Sequence, residues 1–238
     1  MLNEINPIID QVPAGRVIKD KLTIFDVGAN SGVWSAACLM HSAHYINKIH
    51  MFEPMPGNIK RFNVHKKRGL FRPCEDKIIM NETAVSAKKG KVDMHYDAEE
   101  TSYASASVTE TLMGARKVAL EHSITVPATS LDAYCKKNTI GMIDVLKVDV
   151  EGLEMPVFEG GEGLIRDKKI SVIAYEFGTH QMARREYFKD FFDFFEDHGY
   201  SSYRLRLNGW APVHIPSYST REENFGQVNM YLAVAQQK

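Results

Sequence analysis

The feature that most constrains this chain is its alternation of short β-branched runs with amphipathic stretches. Such alternation is the mark of βαβ units built around a largely parallel sheet, an α/β fold. Strands are expected at Leu22–Val27, Lys48–Glu53, Lys77–Asn81, Ile143–Val148, Ile170–Glu176, Ser202–Arg206 and Val228–Val234. Helices are expected at Val33–Ala43, Pro56–Lys67, Leu131–Lys137 and Ala183–His198. In the last of these, Phe188, Phe191, Phe192 and Phe195 recur at i, i+3, i+4 and i+7, one helix face for packing onto the sheet. The acids opposite them, Asp190, Asp193, Glu196 and Asp197, argue against a membrane-binding or base-stacking role. "GKVDMHY" from Gly90 alternates like a half-exposed strand and reads as an added antiparallel piece.

No internal repeat and no long Pro/Gly/Ser linker divides the 238 residues, so they read as one domain, 1–238, with residues 1–20 an N-terminal extension. The polar, nonperiodic stretch Asp97–Gly114 is expected as a loop, placed either to cover a ligand site or as a plain surface loop. Lys+Arg number 29 against 30 Asp+Glu, a net charge of −1, which gives no general pull toward nucleic acid or anionic membrane. The densest basic spot, "HKKRG" at His65–Gly69, reads as the solvated end of a helix. No apolar run is long enough to insert in a membrane, and the first residues lack the order of a signal peptide. The expectation is a cytoplasmic protein. Cys38, Cys74 and Cys135, odd in number and without CxxC spacing, read as reduced thiols.

The first expected strand runs into "DVGANSG", so Gly28, Asn30 and Gly32 form a turn that opens a helix. In an open parallel sheet ligands bind there, at the carboxyl ends of the strands, and glycines let the backbone approach them. A dinucleotide would set its pyrophosphate on that helix start. Asp26 would repel it, and no Lys or Arg lies between Leu22 and His41 to offset the charge. A ligand with an ammonium and a sulfonium but no phosphate suits Asp26: S-adenosyl-L-methionine. Glu53, ending the next strand, is placed to accept the ribose hydroxyls, and small Ala84 in "NETAVS" to line the adenine. In "KVDVEGLE", Asp149, Glu151 and Glu154 crowd a strand's carboxyl end, which is costly unless they are partnered or solvated. Asp149 stands across the crevice from the glycine turn, while Glu151 and Glu154 could equally serve the first turn of the next helix.

"FDVGANSGVW", "FEPMPGN", "NETAVSAKKGKV", "TSLDAY" and "DVLKVDVEGLEMPVFEGGEGLI" resemble, in order and spacing, the FkbM family of S-adenosylmethionine-dependent methyltransferases. The resemblance runs from about Thr23 to Tyr231 and is loose beyond Glu176. It implies a class I methyltransferase (Rossmann-like) fold with a seven-stranded, mostly parallel sheet, helices on both faces and the last strand antiparallel. It implies O-methylation of a hydroxyl, on a sugar of a glycan or glycoconjugate, or alternatively on a polyketide. By matching positions, Asp26, Gly28, Asn30, Gly32 and Glu53 would bind cofactor, and Asp149 and Glu151 would sit at the active centre.

A sugar hydroxyl needs its proton taken as the new bond forms. Asp149 is the first choice for that base and His180 the second. Alternatively, Asp149, Glu151 and Glu176 hold a Mg²⁺ ion that acidifies the hydroxyl. Two other classes compete: a non-catalytic S-adenosylmethionine-binding module, which would need neither Asp149 nor Glu151, and a nicotinamide dehydrogenase, which Asp26 disfavours.

Overall fold

The computed structural model describes residues 2–13, 21–96, 104–105, 110–113, 116–119, 122–206, 211–224 and 229–236. In chain order its strands are β1 (Leu22–Val27), β2 (Ile46–Phe52), β3 (Ile78–Asn81), β4 (Ala84–Val85), β5 (Gly90–Tyr96), β6 (Ala104–Ser105) and β7 (Glu110–Met113). There follow β8 (Arg116–Ala119), β9 (His122–Thr129), β10 (Ile143–Val148), β11 (Ile170–Phe177), β12 (Tyr200–Arg204), β13 (Val213–Ile215) and β14 (Asn229–Ala235). The central sheet has eight strands in the order β13-β12-β14-β11-β10-β1-β2-β3.

β1 pairs in parallel with both β2 and β10, so the strand order reverses on either side of it. The crevice that such a reversal opens at the strands' carboxyl ends is where α/β sheets take ligands. β14 lies antiparallel between β11 and β12, as expected of a class I methyltransferase sheet. The expected count of seven strands is corrected to eight. The extra strand, β13, is a short antiparallel edge on β12, only Val213–Ile215 long.

Alternation along the strands sends side chains to two separate cores. Phe25, Val27, Leu146, Val148, Ile173 and Tyr175 face one layer, which includes helices Glu154–Glu159 and Phe188–Asp197. Ile24, Val145, Val172 and Ala174 face the other, against helices Val33–Ser42 and Pro56–Lys67. Ile5 and Ile8 of helix Leu2–Ile9 join this second core, so the described part of the expected extension packs onto the sheet's helical layer. The four phenylalanines singled out in the sequence are all buried in the first core. The basic cluster ends helix Pro56–Lys67, with Lys66, Lys67 and Arg68 exposed.

Helix Ala183–His198 is corrected to two helices, Thr179–Arg184 and Phe188–Asp197. Arg185 between them has φ 59°, a left-handed conformation that a helix cannot carry through. Asp190 then accepts the Tyr187 backbone N–H at 2.8 Å and opens the second helix.

A second sheet, in the order β4-β9-β5-β6, sits between β3 and helix Leu131–Asn138 in the chain. β5 is antiparallel to β9, as "GKVDMHY" led one to expect, but β9 itself was not among the expected strands. Of the expected loop 97–114, Ala104–Ser105 and Glu110–Met113 are strands, and the rest lies outside the described residues. Val228, the expected start of the last strand, lies outside them too.

Phe195 is fully buried, with ring centroids 5.0 Å from Phe158 and 5.3 Å from Tyr175. Phe195→Ala should therefore cost about 3–5 kcal/mol. Urea unfolding should show a lower midpoint at an unchanged slope; an unaltered midpoint would mean that this helix does not hold the core together.

Candidate active site

Asp26, next to last in β1, points with Ile24 into the second core and is completely buried. Parallel register sets it beside Lys147 of β10, which Val145 likewise places on that face. The Lys147 ammonium lies 3.2 Å from Asp26 Oδ1, 3.1 Å from Asp149 Oδ2 and 3.1 Å from the Gly28 carbonyl oxygen. Ser35, from the helix behind, donates to Asp26 Oδ2 at 2.7 Å. The contact at Oδ1 is an ion pair whose geometry falls short of a directed hydrogen bond. The two carboxylates hold the Lys147 pKa above its ordinary value, although burial pulls hardest the other way. The cation that offsets Asp26 thus comes from a neighbouring strand, where the local sequence from Leu22 to His41 offers none.

The glycine turn follows directly. Gly28 and Gly32 have φ 78° and 82°, and Asn30 is also left-handed at 51°. A Cβ on Gly28 would stand 1.7 Å from the Asp149 carbonyl oxygen, so only glycine lets the turn lie against the end of β10. Glu53, beyond the end of β2, is buried and anchors the turn from the other side. Its carboxylate accepts the N–H of Asn30 at 2.8 Å, the N–H of Met55 at 2.9 Å and the Asn58 amide at 3.1 Å. Burial pushes its pKa up against the pull of those three bonds. A carboxylate offers roughly four acceptor positions, so one remains.

These elements border a cleft of about 720 Å³, counting space open to solvent. Gly28, Asn30, Glu53, Ala84, Asp149 and Glu151 line it, together with Val92 and Met94 of the second sheet. Of the residues expected to hold cofactor, Asp26 and Gly32 are not on the wall. Gly32 sits under the helix start, where a Cβ would meet Phe71 at 2.8 Å and Phe62 at 2.9 Å. None of the described lining residues is Lys or Arg.

Past Asp149 the chain turns on Glu151 (φ 55°) and Gly152 (φ 97°). Glu151 Oε2 lies 2.8 Å from His180 Nε2, and that hydrogen bond raises the His180 pKa more than burial lowers it. Glu154 is buried beneath the turn. It accepts the N–H groups of Val150 at 3.1 Å and Gly152 at 3.3 Å, and the Gln181 amide at 2.7 Å. Burial nonetheless raises its pKa to about 7. Glu176, at the end of β11, is raised to about 9, first by burial and then by the charges of Asp149, Glu151 and Glu154. Among the described residues no group of three or more His, Cys, Asp or Glu is arranged to hold a metal ion. The expected Asp149–Glu151–Glu176 magnesium set therefore has no support in this geometry.

Sequence reasoning missed Lys147, Asn58, Gln181 and the cleft-lining pair Val92 and Met94. Lys147 alone carried a signal: a lysine inside the apolar run "IDVLKV" must find a buried partner. The three thiols are free, Cys38 and Cys135 being buried. Among the described residues no helix is long and apolar enough to cross a membrane.

The family model described as "Methyltransferase FkbM domain" matches residues 26–202. The chain belongs to the FkbM methyltransferase family. Among solved structures it is similar to methyltransferase FkbM from Methylobacillus flagellatus KT, with a TM-score of 0.53 and 12% identity over 94% of this chain and 47% of that one. It thus spans about half the length of that protein, and likeness at this identity shows the fold alone. The precorrin-6y C5,15-methyltransferase from Geobacter metallireducens GS-15 is similar at a TM-score of 0.47 and 11% identity, over 98% of this chain and 87% of that one. No curated protein matches the chain.

The raised groups beside the cleft, Glu53, Glu154, Glu176 and His180, act with one sign. Each holds a proton in the folded state above its unfolded pKa, so its stabilisation is complete at low pH and fades as pH rises through the folded value. His50, lowered to about 4 by burial and then by Lys48, acts oppositely, but its effect is complete by about pH 6.5. Melting temperature should therefore fall between about pH 6.5 and pH 9, and Glu176→Gln should flatten the upper part of that decline. A Glu176→Gln profile parallel to wild type would show that Glu176 does not carry the proton.

Proposed function

We propose that this protein is an S-adenosylmethionine-dependent O-methyltransferase acting on a hydroxyl, on a sugar of a glycan or glycoconjugate. The observation that carries the cofactor reading is the charge of the cleft wall. It offers carboxylates at Glu53, Asp149 and Glu151 and, among the described residues, no Lys or Arg. Such a wall suits a cationic ligand without phosphate and opposes a dinucleotide. Family membership supports both the cofactor and the methyl transfer.

The residues present fit the cofactor. Glu53 would accept a ribose hydroxyl at its remaining position, and Ala84, small and on the wall, leaves room for the flat base. Gly28 and Asn30, the members of the turn that line the cleft, would lie beside the amino-acid end near the start of helix Val33–Ser42. When bound, S-adenosylmethionine supplies an electrophilic methyl group on a sulfonium. The chain supplies alignment and a destination for the acceptor's proton. The Glu151–His180 pair suits the second of these roles, since Glu151 lines the cleft and stands 2.8 Å from an imidazole whose protonated form it favours. Asp149, the first choice by sequence, has one oxygen occupied by Lys147.

Radiolabelled donor offered with a panel of neutral glycosides, polyols and amines tests the acceptor class. Label appearing only on amine acceptors would overturn the hydroxyl reading. For the cofactor, Glu53→Ala should weaken S-adenosylhomocysteine binding by roughly 1.5–3 kcal/mol in calorimetry, the scale of a hydrogen bond to a charged group. Unchanged affinity would refute the ribose assignment.

A further inference from the structure

We infer that in this chain the cofactor's ammonium is received by Asp149 and not by Asp26, because Lys147 already occupies Asp26 as a built-in ammonium. The inference rests on the cofactor reading above and assigns one contact within it.

Asp26 has no exposed surface, is not on the cleft wall, and is enclosed by Ser35 and Lys147. For a ligand ammonium to reach it, Lys147 would have to leave a site in which it too is only 5% exposed. Removing that lysine from between two carboxylates would leave buried charge without a counter-ion, among the costliest of local changes. Asp149 is the reverse case. Its side chain is 32% exposed and lines the cleft, and Lys147 holds its Oδ2.

Charge counting points the same way. Asp26, Asp149 and Lys147 together carry two negative charges and one positive, leaving one anion in excess. That excess is expressed where solvent and ligand can reach it, at Asp149. The location also fits, because the Asp149 N–H donates to the Val27 carbonyl at 3.0 Å, and Gly28 packs on the Asp149 carbonyl. Asp149 is therefore the acid adjoining the glycine turn on the cleft side. Lys147 is a positioning residue that fixes the turn and the receiving carboxylate together through one ammonium.

Two ligands separate this contact from all others. S-adenosylhomocysteine carries the amino-acid end; 5′-methylthioadenosine has the same nucleoside without it. By calorimetry on the full chain, Asp149→Asn should lose roughly 10–100-fold in affinity for S-adenosylhomocysteine, the effect of one charged hydrogen bond. Its affinity for 5′-methylthioadenosine should stay within about two-fold of wild type. Asp26→Asn, which lies behind the wall, should change both affinities in the same proportion. Asp149 is partly exposed, so its variant is the one expected to fold, and a melting curve verifies that before titration. Equal losses for both ligands in Asp149→Asn, or a selective loss of S-adenosylhomocysteine in Asp26→Asn, would overturn the inference. Wild-type protein that binds neither ligand would instead remove the cofactor reading on which it stands.

Discussion

A buried ammonium under helix Val33–Ser42 is the interaction on which the site depends. Lys147 emerges in the second core, where a charge without partners would be prohibitive. Three partners make it tolerable: Asp26 from β1, the carbonyl of Gly28 in the turn, and Asp149 from its own strand. Each belongs to a different functional part of the crevice. One cation therefore ties the end of the first strand, the glycine turn and the acid at the cleft into a single unit.

The acids on the far side follow a different rule. Glu154 and Glu176 make no ion pair with a lysine among the described residues; burial raises the pKa of both, and Glu154 accepts the N–H groups of Val150 and Gly152. The crevice thus has a side where Asp149 pairs with Lys147 and a side where burial disfavours ionisation. Environments that part carboxyls in this way are a general means of holding charge and proton in one small space at neutral pH.

Much of the frame was legible because it is written locally. Short β-branched runs placed β1 and β10 at their observed limits, and the i, i+3, i+4, i+7 pattern placed the phenylalanine face. What was not legible depends on pairing across the chain or on single torsions. No Lys or Arg between Leu22 and His41 offsets Asp26, yet parallel register brings it Lys147 from a distant strand. The break at Arg185 is one left-handed residue in an otherwise helical pattern. β13 is too short to alternate visibly. Glu53 was placed on the wall correctly in position, but its hold on Asn30, Met55 and Asn58 is a matter of geometry that spacing does not reveal.

The close approach at Gly28 has a mechanical consequence. With the turn in contact with the Asp149 carbonyl, and Asp149 hydrogen-bonded to Val27, the tips of β1 and β10 form a stiff seam. Neither tip can shift alone without breaking that bond or forcing atoms into contact. The opposite bank is built differently: Ala84, Val92 and Met94 come from the smaller sheet and pack in a small core of their own. The crevice thus has one bank fused to the central sheet and another carried by a separate one.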